Sequence, residues 1–147
     1  MLGKILKFLL LIVIIGVGLF LFIQLIPYGK DHNNPPVVSE PKWDNQQTRQ
    51  LARTACFDCH SNETVWPWYS NIAPVSWLVY RDVAEGRQKL NFSDWQNSNI
   101  RDVDEIASVI NEGEMPPFQY LPTHPAARLS TAEKSQLING LTSTLDR

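Results

Sequence analysis

The sequence Cys56-Phe57-Asp58-Cys59-His60 constrains this chain more than any other feature, because it is a C-x-x-C-H motif that contains both cysteines of the protein. On a turn of helix, two cysteines three residues apart project from nearly one face. Both sulfurs can then reach the two vinyl groups along one edge of a porphyrin. The histidine that follows can bind the iron as its proximal ligand. The motif therefore predicts one covalent haem c, attached through Cys56 and Cys59 with His60 on the metal.

Three other uses of the motif fit the rest of the sequence less well. A thioredoxin-like redox pair needs a βαβ context, and none surrounds residue 56. A closed structural zinc site needs a fourth ligand, usually from a second pair, but there is no second C-x-x-C and no H-x-x-x-H. A disulfide across two residues would close a very small loop and stabilise little. Haem attachment is the favoured interpretation.

The first residues form a long apolar run. Between Ile5 and Ile26 only four residues are not strongly apolar, and a helix over this run would be about 33 Å long, enough for a hydrocarbon core of about 30 Å. A cleaved signal peptide normally has an apolar region of about 7–15 residues that ends in a small-x-small site. The sequence Leu25-Ile26-Pro27-Tyr28 offers no such site. We therefore predict a single uncleaved transmembrane anchor over residues 1–27.

Charged residues at the two ends of the run predict its orientation. Lys4 and Lys7 lie at the start of the apolar run, which favours a cytoplasmic N-terminus. Lys30 on the far side is followed by Asp31. The predicted location is therefore the cytoplasmic (inner) membrane, with a single pass and with the haem domain facing the periplasm or cell exterior.

Composition divides the remainder into a linker and one domain. Residues 28–41 are rich in proline and in turn-forming Asn and Asp, which predicts a linker. Residues 42–147 then form one small haem-binding domain. From residue 31 onward there are 10 Lys and Arg against 15 Asp and Glu, with no basic patch. Nucleic acid is therefore excluded as a partner, and the redox partner protein is not indicated.

Helical patterns dominate the predicted domain. The predicted helices cover residues 44–55, about 74–90, 102–111 and 131–145. Asp44 is the expected N-cap of the first of these helices, Gly113 ends the third, and the capping box of Ser130 and Glu133 starts the last. In small c-type cytochromes the first and last helices cross beside the haem. The predicted fold is therefore all-α, a cytochrome c-like helical haem domain preceded by a single N-terminal transmembrane helix.

Met115 is the expected sixth ligand of the iron. It is the only methionine of the domain, and its thioether is a soft ligand suited to haem iron opposite histidine. Pro116 and Pro117 restrict the backbone directly after it. A gap-filling core methionine is the alternative. His124, between two prolines, is the rival ligand, and an open sixth position is the third possibility.

Supporting roles follow from the same chemistry. A haem-ligating histidine needs its second ring nitrogen held, and the Pro74 carbonyl is a candidate acceptor for that hydrogen bond. Arg87 and the indole of Trp95 are candidates to hold the haem propionates, and a solvated Arg87 is the alternative. His32, in the predicted linker, is expected to be exposed.

Two blocks of sequence resemble a known family, the membrane-anchored haem-binding domain proteins of bacteria. The blocks are CFDCHSNETVWPWYSNIAPVSWLVYRDVAEGRQKLNFSDW and GEMPPFQYLPTHPAARLS, and they cover most of residues 55–135. The resemblance implies a single c-type haem on a cytochrome c-like domain. It places the haem on Cys56 and Cys59, with His60 proximal and Met115 distal.

The predicted function is that of a membrane-anchored c-type cytochrome, which carries single electrons at the outer face of the cytoplasmic membrane. The alternative is a haem-based sensor or small-ligand-binding domain, and the sixth coordination position separates the two. A haem enzyme such as a peroxidase would need distal acid–base residues. His124 is the one candidate for such a role, so we predict that the protein is not an enzyme.

Overall fold

The computed structural model of the chain describes residues 2–98 and 102–145. Its helices are α1 (Leu2–Ile23), α2 (Gln46–Ala55), α3 (Phe57–His60), α4 (Val75–Lys89), α5 (Val103–Asn111) and α6 (Thr131–Leu145). Within the described residues there is no β-strand, only an isolated bridge between Ser39 and Asp94. The all-α prediction is confirmed. The outer ends of the predicted anchor and domain, residues 1 and 147, lie outside the described residues.

The chain forms two compact units. The described part of the N-terminal unit comprises residues 2–33 and 66–81, and that of the main unit comprises residues 34–65, 82–98 and 102–145. Helix α4 contributes its first half to one unit and its second half to the other.

Helix α2 of the main unit begins with a side-chain cap. The Oδ1 atom of Asn45 accepts hydrogen bonds from the backbone N–H groups of Gln47 (2.8 Å) and Thr48 (3.0 Å). The prediction that Asp44 is the N-cap is wrong by one residue. The Asp44 backbone N–H instead donates to Thr144 Oγ1 at 3.0 Å, which joins the start of α2 to the end of α6.

Helices α2 and α6 pack together, as predicted. Thr48 of α2 is fully buried, and a Cβ added to Gly140 of α6 would lie 2.0 Å from Thr48 Oγ1. Glycine is therefore what allows these two helices to approach so closely. The predicted capping box at the start of α6 is also confirmed, since Ser130 N donates to Glu133 Oε2 (2.8 Å) and Glu133 N to Ser130 Oγ (3.3 Å).

One apolar core holds the main unit together. Its buried members are Ala52, Phe57, Leu90, Phe92, Ile106, Ile110, Leu137 and Leu141. The ring of Phe92 stacks on Phe57 with centroids 5.4 Å apart and on Trp95 at 6.0 Å. These aromatic rings join the C-x-x-C-H turn to the segment that follows α4.

The second half of the predicted linker packs within the main unit. The backbone N–H groups of Val38 and Ser39 both donate to Ser93 O, at 2.8 and 3.1 Å. The Glu40 carboxylate accepts two hydrogen bonds of 2.8 Å from Arg49, and these bonds lower the pKa of Glu40. Pro41 is buried. These contacts hold residues 38–41 in place.

The N-terminal unit contains the long apolar helix. Helix α1 has 22 residues, none of them buried, and it is long and apolar enough to cross a membrane. A signal sequence of the same composition would share this property. His32 of this unit is partly buried, because its ring stacks on Trp66 at 4.5 Å and its Nε2 atom lies 3.1 Å from Ser70 O. The prediction that His32 is exposed is wrong.

Candidate functional site

A cavity of about 250 Å³ lies in the main unit. Its lining includes all four predicted site residues, Cys56, Cys59, His60 and Met115. Much of the remaining lining is apolar and comes from the segment after α4, from α5 and from α6: Leu90, Phe92, Ile106, Val109, Ile110 and Leu141. The fold therefore gathers a thiol pair, an imidazole and a thioether around one largely apolar space.

The C-x-x-C-H motif forms a tight helical turn at the edge of this cavity. Helix α2 ends with the Cys56 N–H bonded to Ala52 O at 2.8 Å. The chain then turns into α3, where Cys56 O accepts hydrogen bonds from the N–H groups of Cys59 (3.1 Å) and His60 (2.8 Å). Two cysteines in this arrangement lie close together beside the same space, as the motif predicts.

Both cysteines are partly buried. The two cysteines are free, so no disulfide joins them. Burial raises the pKa of Cys56 and that of Cys59 to about 12. Thioredoxin-like redox cysteines have a lowered pKa, so this pair has the opposite electrostatics and stays protonated at neutral pH.

Two backbone carbonyls orient the imidazole of His60. Its Nδ1 atom lies 3.0 Å from Gly86 O and 3.1 Å from Leu90 O. A carbonyl only accepts, so Nδ1 carries the proton and Nε2 keeps its lone pair for a ligand. Burial lowers the pKa of His60, which favours the neutral imidazole. The prediction of Pro74 as this acceptor is wrong, because the carbonyls of Gly86 and Leu90 take that role.

The segment after α4 also holds the backbone of the motif. Phe92 N donates to His60 O at 2.8 Å. The buried Ser93 hydroxyl accepts from Asn62 N at 3.0 Å, and the Asn91 amide donates to Asn62 Oδ1 at 2.9 Å. The sequence block from Leu90 onward therefore fixes both the side chain and the main chain of His60.

Gly86 is a site residue that sequence reasoning missed. A Cβ at this position would lie 2.5 Å from Cys59 O and 3.2 Å from Cys59 Cβ. Only glycine allows α4 to run this close to the C-x-x-C-H turn and to present its carbonyl to His60. A glycine inside a predicted helix costs about 1 kcal/mol relative to alanine and usually has a packing reason, which is the signal that was available.

The loop after α5 brings Met115 to the cavity. Gly113, with φ of +78°, ends the helical turn as predicted. The N–H groups of Glu114 and Met115 then both donate to Val109 O, at 2.9 and 3.0 Å. These two bonds hold the methionine backbone against α5.

A hydrogen bond ties the same loop to α3. The Tyr120 hydroxyl donates to Asp58 Oδ2 at 2.7 Å, and burial together with this carboxylate raises the pKa of Tyr120 well above its ordinary value. The ring of His124 stacks on Tyr120 at 3.8 Å, with its Nε2 atom 3.7 Å from Asp58 Oδ2. His124 is not among the described residues that line the cavity. Sequence reasoning missed the role of Asp58 and of Tyr120.

Arg87 braces the loop that follows the motif. Its Nε atom donates to Ser61 O at 2.7 Å, and one terminal nitrogen donates to Asn34 Oδ1 (2.8 Å) and to Thr64 Oγ1 (2.9 Å). The guanidinium is thus engaged with protein groups, whereas the sequence suggested a propionate partner or a solvated side chain. Trp95 stacks in the aromatic core.

A family model described as a haem-binding domain matches residues 18–143. This range contains the cavity and every residue that lines it. No curated protein and no solved structure matches the chain.

Proposed function

This chain belongs to the haem-binding domain family, and on that premise we propose that it is a membrane-anchored c-type cytochrome. One haem c is bonded to Cys56 and Cys59, and the protein transfers single electrons at the outer face of the cytoplasmic membrane. Residues 1–27 form the anchor, 28–41 the linker and 42–147 the cytochrome c-like haem domain. The observation that carries the proposal is the orientation of His60 by two carbonyls, in a cavity that it shares with both cysteines and Met115.

The residues around the cavity fit a haem. Apolar side chains from α5 and α6 suit the faces of a porphyrin, and the two protonated thiols suit thioether formation with its vinyl groups. The neutral imidazole of His60 has its Nε2 lone pair available for iron. When bound, the haem supplies an iron that alternates between its ferrous and ferric states.

Met115 distinguishes an electron carrier from a ligand-binding domain. A thioether opposite His60 favours ferrous iron and raises the reduction potential. The backbone bonds to Val109 and the contact between Tyr120 and Asp58 hold the methionine loop beside the cavity, where Met115 would supply the second protein ligand of a bound haem iron. If His60 and Met115 both held the haem iron, no open site for a gas or peroxide would remain, and for this reason we propose no enzymatic role.

The membrane orientation is part of the proposal. Helix α1 is long and apolar enough to span a bilayer, and Lys4 and Lys7 near its start favour a cytoplasmic N-terminus. The haem domain then faces the periplasm or the cell exterior. This side is the one where haem c is attached to proteins.

The test is an optical and redox study of full-length protein purified with its haem. We expect the haem to remain on the denatured polypeptide in a haem-stained gel, and the oxidised protein to show the weak near-infrared charge-transfer band of sulfur-bound ferric haem. Met115→Ala should remove this band, lower the potential and allow carbon monoxide to bind the ferrous iron. His124→Ala is the matched control and should leave all three properties unchanged.

Other outcomes would contradict specific parts of the proposal. Haem lost on denaturation of the wild type would refute covalent attachment. Absence of the band, with His124→Ala as the change that opens the iron, would indicate two histidine ligands. Ready binding of carbon monoxide by the wild type would replace the electron carrier by a ligand-binding domain.

A further inference from the structure

The N-terminal unit exposes apolar side chains outside α1. Trp68 is 76% exposed, Val75 is 43% exposed and Ile72 is 37% exposed. Residues 66–80 contain no Asp, Glu, Lys or Arg. Exposed apolar side chains grouped in an uncharged stretch mark a contact surface.

Gln24 fastens this stretch to the end of α1. Its Oε1 atom accepts from Ala73 N at 2.9 Å, while its Nε2 atom donates to Ala73 O at 3.0 Å and to Phe20 O at 2.9 Å. Ala73 is completely buried. Since Gln24 directly follows the last residue of α1, Ala73 lies within one side-chain length of the end of that helix.

Two further contacts join the same two segments. Gly29 has φ of +77°, and a Cβ there would lie 2.7 Å from Ser76 O, so the chain after α1 passes directly against the start of α4. The ring of Tyr28 meets that of Tyr80 edge to face at 5.3 Å. Residues 73–80 are therefore held to the chain segment 24–29 at three points.

The length of α1 sets the depth of this stretch relative to a bilayer. Its 22 residues span about 33 Å, close to the hydrocarbon thickness of about 30 Å. The end of α1 then lies at the boundary between hydrocarbon and headgroups. Lys30 donates from Nζ to Gln24 O and so places an ammonium group at this level, where phosphates lie. Ile72 directly precedes Ala73 and Val75 lies two residues after it, which places both close to the end of α1.

We propose that residues 66–75, here called the interfacial segment, lie in the headgroup layer of the membrane that α1 crosses. Trp68, Ile72 and Val75 face the phospholipid, and tryptophan is the residue most suited to this boundary because its ring is apolar and its N–H is polar. The inference rests on the proposed anchoring by α1. It adds a second membrane contact, which restricts rotation of the N-terminal unit about the anchor.

The test measures the depth of single nitroxide labels on full-length haem-loaded protein in vesicles of phosphatidylethanolamine and phosphatidylglycerol. Labels are attached to Trp68→Cys and, separately, to Ile72→Cys. Collision rates with oxygen, which concentrates in hydrocarbon, are compared with those of a water-soluble nickel chelate. We expect the ratio of oxygen to nickel collisions at both positions to be several-fold higher than at Ser135→Cys, an exposed polar site on α6.

Leu21→Cys in α1 distinguishes failure of the anchor from failure of the inference. Suppose that position 21 has a high ratio of oxygen to nickel collisions, while positions 68 and 72 have the same ratio as position 135. This result would refute the membrane contact of the interfacial segment and leave the anchor intact. The exposed apolar side chains of the segment would then fit a protein partner. A low ratio at position 21 would refute the anchor and, with it, the inference. Unsubstituted protein labelled in parallel should take up no nitroxide, because haem occupies both native cysteines.

Discussion

Tyr120 is the residue that fastens the methionine loop to the C-x-x-C-H turn. Its hydroxyl donates to the Asp58 carboxylate at 2.7 Å, and Asp58 lies between the two cysteines of the motif. A hydrogen bond to a charged acceptor is worth about 1.5–3 kcal/mol. Loss of this bond should therefore loosen the loop at Met115, which lies five residues away in sequence, and should also lower the stability of the main unit.

Tyr120→Phe is expected to loosen Met115 without removing it. The substitution keeps the ring that stacks on His124 and deletes only the hydroxyl. We expect the near-infrared band to persist, the free energy of unfolding to fall by about 1.5–3 kcal/mol and cyanide to displace the methionine several-fold faster. Stopped-flow absorbance and denaturant unfolding measure these effects.

Phe118→Leu supplies the control for this experiment, because Phe118 belongs to the same loop and is 83% exposed. It should behave as the wild type. Equal cyanide rates for Tyr120→Phe and Phe118→Leu would show that the hydroxyl does not hold the methionine in place.

The sequence predicted some residues of the cavity and missed others. The difference is whether the contacts of a residue are with sequence neighbours or with distant residues. Spacing alone places Cys56, Cys59 and His60 on one turn, because that geometry is local. The contact of Tyr120 with Asp58 joins residues 62 positions apart, which only the tertiary fold brings together. The acceptor for His60 was misassigned to Pro74 because every residue carries a carbonyl, so residue type gives no information about it.

At the scale of elements, the crossing of α2 and α6 depends on two small contact residues. Gly140 faces the fully buried Thr48, and no space remains for even one additional carbon. The pairing itself was predictable from the apolar faces of the two helices. The identity of the contact point was not, since the sequence does not give the crossing position.

Gly140→Ala is expected to lower the free energy of unfolding by about 1–3 kcal/mol through overpacking, although alanine favours the helix by about 1 kcal/mol. Thr48→Ala in the same chain should recover part of the loss, because two of the crowding atoms, Oγ1 and Cγ2, are then gone. Thermal unfolding of the four proteins of this double-mutant cycle measures the coupling.

Asn139→Ala, at the exposed neighbouring position of α6, tests helix propensity alone and should leave stability unchanged or slightly increased. Additive effects of Gly140→Ala and Thr48→Ala would contradict direct contact between the two positions.

The predicted ends of helices agreed with the structure where the sequence offered one clear capping residue or motif. The box of Ser130 and Glu133 and the glycine at position 113 gave the start of α6 and the end of α5. The start of α2 was misplaced because Asp44 and Asn45 are adjacent and both can cap a helix. Choosing between them requires the position of Thr144, which is 100 residues away from Asp44.

At the scale of the whole molecule, the N-terminal unit joins segments that are distant in sequence. Residues 2–33 pack with residues 66–81, which follow the C-x-x-C-H motif in sequence. Composition predicted a linker after the apolar helix because proline and asparagine are common there. It could not show that Gln24 bonds to Ala73, a contact that spans 49 positions.

The full-length protein is expected to be an integral membrane protein with its C-terminus outside the cytoplasm. It should fractionate with membranes and resist extraction by alkaline carbonate. A reporter fused after Arg147 should be active if it is of a kind that works outside the cytoplasm, and inactive if it works only in the cytoplasm. The apolar length of α1 is the physical reason for insertion into the membrane. Lys4 and Lys7 near the start of α1 are the reason for the orientation.

A variant whose residues 1–27 are replaced by a cleavable signal peptide is the control for this topology. It should reach the same compartment and be released in soluble form. Recovery of a soluble mature wild-type protein that begins near residue 30 would identify the first helix as a cleaved signal.

The hydrogen bonds to His60 also determine how this protein tolerates mutation. Both acceptors are main-chain oxygens, of Gly86 and Leu90, so no change of side chain deletes them. A substitution can only shift them by altering how α4 packs. Replacement of Leu90 by another apolar residue should therefore leave the tautomer of His60 unchanged. Position 86 accepts only glycine, because any Cβ there would collide with the backbone of Cys59. In a mutational scan, this protein should lose its histidine orientation through added bulk and not through lost polarity.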